Sequence, residues 1–181
     1  MTFRYYFFVE QAFLSQVKQF IDLSESGGDD EMEKSAMHVI ALAAAIEALV
    51  NSLVIKHQIS VDLSKAELFV KIERVLGCKD ENLDKGSAPW QYIHSLVRAR
   101  NWLMHYKDSS VGLLGARGKW LQDDVNRIPK IDPDRFLSKT NVRELYFASL
   151  DAMKRLVLAC QSELDEYEYL DSQDYQSVLV G

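Results

Sequence analysis

The chain has 181 residues, 48% of them hydrophobic, which suffices for one domain with a substantial core and is short for two. Its 21 Lys and Arg stand against 27 Asp and Glu, and the resulting net charge of −6 argues against a protein that coats nucleic acid with a general basic surface. Cys78 and Cys160, 82 positions apart and in no CxxC pair, indicate neither a disulfide scaffold nor a zinc knuckle and fit a reducing cytoplasm.

The opening stretch MTFRYYFFVEQAF lacks a basic leader, a continuous apolar run and a small-residue cleavage site, so it reads as mature structure. From Phe3 the large apolar residues fall at Phe3, Tyr6, Phe7, Phe13, Leu14, Val17, Phe20 and Ile21, the spacing of an amphipathic helix. That helix ends near SESGGDD, where Gly27 and Gly28 break it. The acidic residues that follow suit the positive end of a second helix, predicted from about Asp30 to His57.

Within the second helix, AMHVIALAAAIEALVNSLVI is long and apolar enough to need a membrane check. Glu47 lies near its centre, where a carboxylate costs roughly 2.5 to 3.5 kcal/mol in lipid, and its alanines return little. The expectation is a central core helix and no membrane association. A third helix is predicted over Ser64 to Leu76, with Ser64 and Glu67 forming a capping box and Gly77 ending it. After the loop CKDENLDKGSA, Pro89 suits the first turn of a fourth helix running to about Tyr106 or Lys107.

Residues 108–138 carry Gly112, Gly115, Gly118, Pro129 and Pro133, which break any helical period. They read as a long irregular insertion, with one short helical turn around Lys119 to Val125. A last helix is predicted from about Asn141 to Tyr169, offering Leu145, Leu150, Met153, Leu156, Val157 and Leu164 to a core; residues 170–181 form an acidic tail. The expected architecture is all-α: a single domain over residues 1–181, an up-and-down helical bundle of about five helices with a long irregular insertion before the last.

The fourth helix carries the densest chemistry, in RARNWLMHYK (98–107). At 100° per residue, Ile93, Leu96, Val97, Leu103 and Met104 share one arc of about 120° with Arg100 in its middle. His94, Arg98, Asn101 and His105 fall within about 60° of one another on an adjoining face. An arginine facing a core needs a partner, because an uncompensated buried charge costs several kcal/mol. Glu47, with Asn51 four residues further along the same face of the second helix, is the predicted partner. As a pair fixing helix packing this needs no chemistry; as a site it presents a cation and an imidazole together.

Other chemistries lack their patterns. GLLGARGKW has Leu113 where a phosphate loop needs its first glycine and Trp120 where it needs Ser or Thr. His38, His57, His94 and His105 include no HExxH, and no GxSxG or catalytic-cysteine context occurs, so neither a metal nor a cofactor is expected.

RNWLMH, Arg100 to His105, resembles the R-x4-6-H motif of the HEPN superfamily (higher eukaryotes and prokaryotes nucleotide-binding domains), in which a polar residue, here Asn101, follows the arginine. AAAIEALVNSLV is similar to that family's earlier helix with its inward-facing acidic residue, and the likeness spans residues 1–107 and 140–170. Arg98 also fits, as R-x6-H, and is better aligned with His105 on a helix; Asn101 favours Arg100.

The resemblance implies a metal-independent endoribonuclease. His105 would act as general acid or base, Arg100 as phosphate clamp and Asn101 as organiser, with Glu47, Asn51, Arg98, Tyr106 and Lys107 in support. It implies RNA as substrate, a homodimer bringing two motifs to one cleft, and a toxin or defence role with a nucleotidyltransferase-like antitoxin as partner. The alternative is a noncatalytic HEPN-like module that binds a nucleotide or a protein.

Overall fold

The computed structural model describes residues 9–23, 29–105, 137–162 and 164–170, with the side chains of 29–33, 102, 105 and 165 outside the description. Among the described residues there are five α-helices and no strand: α1 (Val9–Asp22), α2 (Asp29–Lys56), α3 (Leu68–Leu76), α4 (Trp90–His105) and α5 (Lys139–Ala159). A 3-10 turn, Gly77–Lys79, extends α3, and two further 3-10 turns, kinked at Tyr167, span Leu164–Leu170. Of the expected insertion, residues 108–136, and of the acidic tail, residues 171–181, lie outside the described residues, as do Phe3, Tyr6 and Phe7 of the first predicted helix.

α2 is the central element, packed against α1, α3, α4 and α5. Apolar residues occupy nearly its whole circumference, and Leu42, Ile46, Leu49 and Leu53 are fully buried. Each such side chain contributes roughly 1.5 to 3 kcal/mol of burial. Its alanines let neighbouring backbones approach: Ala41, Ala43 and Ala45 are all buried. Lys34–Lys56 is long and apolar enough by composition to cross a membrane, and half of its most apolar window is covered by the other helices. From α5 come the predicted Leu145, Leu150, Met153, Leu156 and Val157, all buried, while Leu164 packs at the core's edge.

Two helix ends differ from the sequence reading, each for a local reason. α3 begins at Leu68, four residues after the expected start, because Asp62 captures Ser64. The Asp62 carboxylate accepts from Ser64 N–H at 3.0 Å and from its hydroxyl at 2.7 Å, forming a turn in place of the capping box. α5 stops at Ala159, ten residues short of Tyr169. Gln161 adopts φ 55°, and its N–H bonds Leu158 O at 3.0 Å while Ser162 N–H bonds Val157 O at 3.2 Å. Those two bonds are a Schellman closure, made without the glycine that usually announces one. The same closure ends α2 at Gln58, φ 52°, with Gln58 N–H on Ile55 O and Ile59 N–H on Val54 O. At the start of α5, Ser138 Oγ accepts from Asn141 N–H at 3.2 Å and caps the first turn.

The segment after α5 turns back across the bundle. Ser162 Oγ lies 2.9 Å from His57 Nε2 at the end of α2, and Lys56 pairs with Glu166 and faces the Tyr167 ring. The Tyr169 hydroxyl donates to the buried Glu10 carboxylate of α1 at 3.0 Å. Burial first, then the Glu10 charge, push the Tyr169 phenol well above its ordinary range, so it remains a hydrogen-bond donor.

Candidate functional site

Helical spacing on α2 sets Ala43, Glu47 and Asn51 four residues apart on one face. Ala43 leaves room, and a cleft of about 300 Å³ opens between α2 (Ala43, Glu47), the entry to α3 (Glu67, Phe69) and α4 (Val97, Arg100, Asn101). Glu47 and Arg100, the pair that periodicity set face to face, meet here: Arg100 NH2 lies 3.5 Å from Glu47 Oε2. Arg100 NH1 donates to Asn101 Oδ1 at 3.0 Å, so the residue next in sequence orients the guanidinium.

A second cation shares the carboxylate. Lys71 Nζ lies 3.7 Å from Glu47 Oε1 and donates to Asn51 Oδ1 at 3.0 Å. Lys71 is only 3% exposed, whereas the side chains of Arg100 and Glu47 are 41% and 38% exposed. The ammonium is therefore held in a poorly solvated setting, and the guanidinium stands at the water's edge. Lys71, Arg100 and Glu47 together carry one net positive charge, which Glu67 at the wall of the cleft balances.

Of the other predicted site residues, Asn51 contacts Lys71, and Arg98 is exposed. His94, Arg98 and Asn101 form an exposed ridge beside the cleft, with the His94 ring tilted against Phe69 at a centroid distance of 5.7 Å. His105 is the last residue of α4, with its side chain outside the described residues; Tyr106 and Lys107 also lie outside them. The expected core stripe of α4 needs one correction. Met104 is 60% exposed, and Ala99, which that arc omitted, is buried with Ile93 and Leu96. A small residue there allows close helix contact and rotates the buried arc away from Met104.

Lys71 was not among the residues that sequence reasoning selected. Its signal was present: in LFVKIERVL it falls three residues after Leu68 and four before Val75, within the apolar arc of α3. A lysine inside such an arc demands a counter-charge, and Glu47 supplies it. Among the described residues no group of three or more His, Cys, Asp or Glu is gathered closely enough to hold a metal ion. No protein-family model, curated protein or solved structure matches the chain.

Proposed function

We propose that this chain is an endoribonuclease of the HEPN type, working without a metal ion as a homodimer whose two motifs face one RNA strand. The observation that supports this most is Arg100 at the wall of a cleft, braced by Glu47 and Asn101 and still 41% exposed. In the proposed reaction the 2′-OH of RNA attacks the adjacent phosphate. His105 moves the proton, a task that suits imidazole because it is the side chain whose unperturbed form changes charge nearest neutral pH. The Arg100 fork holds the charge gathering on the phosphate oxygens, and Asn101 keeps the fork oriented. The bond to the 5′-oxygen breaks, leaving a 2′,3′-cyclic phosphate and a 5′-hydroxyl. A neutralising partner of nucleotidyltransferase type belongs to the same proposal.

A second reading has its own support. The Glu47 contact occupies part of the guanidinium, as it would in a noncatalytic module that uses Arg100 to set helix packing and binds a nucleotide or a protein. The deciding experiment incubates purified protein with RNA in EDTA, beside Arg100→Ala and His105→Ala. Cleavage giving cyclic-phosphate ends, reduced at least ~100-fold in both variants, is the expected result. Wild-type protein that cuts no RNA, or variants that cut as well as wild type, would overturn the enzyme in favour of the module.

A further inference from the structure

Glu47 serves two cations, one carboxylate oxygen to each. Its Oε1 lies 3.7 Å from Lys71 Nζ and its Oε2 3.5 Å from Arg100 NH2. A guanidinium alone with a carboxylate frequently makes two parallel bonds of about 2.7 to 2.9 Å, one to each oxygen. Here Arg100 makes one long contact with Glu47, while its NH1 donates to Asn101 Oδ1. The oxygen that a bidentate pair would need faces Lys71 instead.

Lys71 is fixed in that place by its own surroundings. It sits in the apolar arc of α3, 3% exposed, with Ile72, Val75 and Leu76 also buried. Asn51, one turn beyond Glu47 on α2, accepts from Lys71 Nζ at 3.0 Å. A buried ammonium needs a counter-charge and cannot swing out to water in place of one, so its hold on Glu47 persists. Arg100, two-fifths exposed, is the partner that can leave.

We propose that Lys71 is a positioning residue for Arg100. By holding Glu47 Oε1 it keeps the carboxylate from closing on Arg100 as a bidentate pair, and so leaves the guanidinium free to take a phosphate of RNA. Its bearing on RNA rests on the ribonuclease reading, whereas the Glu47–Arg100 geometry does not depend on it. Lys71 is too buried to touch a strand lying in the cleft, so it acts only through Glu47. Without the lysine's charge, Arg100 is the one counter-ion left to Glu47 among the described residues. A fork closed on that carboxylate has to be opened again by every phosphate that binds.

The test reads the guanidinium directly. The full chain is treated with phenylglyoxal, which modifies accessible arginine side chains, and mass spectrometry gives the labelling of Arg100 relative to the exposed Arg98. Lys71→Met should lower that ratio at least about threefold, and adding Glu47→Gln should return it to the wild-type value or above. The direction separates clamping from unfolding, because an unfolded chain exposes both arginines alike and moves the ratio towards one. Where Lys71→Met does not fold, Lys71→Gln, which keeps a donor for Asn51, carries the same expectation. In parallel, RNA cleavage in EDTA should fall about tenfold in kcat/KM with Lys71→Met and recover when Glu47→Gln is added. A folded Lys71 variant whose labelling ratio equals or exceeds that of wild type would overturn the proposal, even in a chain that cuts RNA. A lowered ratio in a chain that cuts no RNA upholds the positioning of Arg100 and overturns the ribonuclease reading instead.

Discussion

Replacing Glu47 with alanine removes two ion pairs at once, and double-mutant cycles can measure each. The Lys71 pair, at 3.7 Å with the lysine 3% exposed, has a gross attraction of about 4.5 kcal/mol at an effective dielectric near 20. Desolvation offsets part of this, leaving a coupling of roughly 2 to 3 kcal/mol. The Arg100 pair, at 3.5 Å between side chains each about two-fifths exposed, is screened by water and should couple by less than about 1 kcal/mol. Urea denaturation of Glu47→Ala, Lys71→Met, Arg100→Ala and the two doubles that include Glu47→Ala supplies both terms. The expected order is Lys71 well above Arg100. The reverse order, or both couplings under about 0.5 kcal/mol, would refute the assignment of Glu47 as chiefly the buried lysine's counter-ion. In the expected order Arg100→Ala folds nearly as well as wild type, so any activity it loses cannot be attributed to unfolding.

Other outcomes follow from the helix ends and from His38. Gln58→Gly and Gln161→Gly should each stabilise the chain by about 0.5 kcal/mol, because left-handed strain of roughly 1 to 2 kcal/mol is relieved against the freedom glycine adds to the unfolded state. A lower urea midpoint in either variant would contradict that. His38 stacks on Phe20 at 4.2 Å between centroids, and burial holds its pKa below 6.5 although the Lys34 carbonyl pulls the other way. The unfolded chain then takes up this proton more readily, so stability is full above pH 6.5 and falls as pH drops through the depressed folded value. His38→Phe should flatten that acid slope in urea midpoints measured between pH 5 and 7; an unchanged slope would sink the assignment.

The fold class was legible because the apolar residues repeat at helical spacing over long stretches, and α2 could be placed at the centre from its composition alone. Glu47 and Arg100 could be matched because each is a charge at an apolar position, with few other partners on offer. The end of α5 was illegible for the opposite reason: Gln161 is neither glycine nor asparagine, and its left-handed geometry goes with the docking of Ser162 on His57. Ser64 misled because Asp62, two residues earlier, competes for it more strongly than the helix does.

The bond from Tyr169 to Glu10 joins the last described turn of the chain to its first described helix. At a synthesis rate on the order of 10 residues per second, α1 waits roughly 15 s on the ribosome for this partner. Until then its glutamate is bathed in water, and the seat it will fill against the final tyrosines does not exist. A nascent chain released before residue 164 could assemble its four inner helices yet would leave α1 without the clasp from the carboxyl side. Emergence of the Leu164–Leu170 segment, after all five helices have been made, is thus the event that closes this clasp on α1.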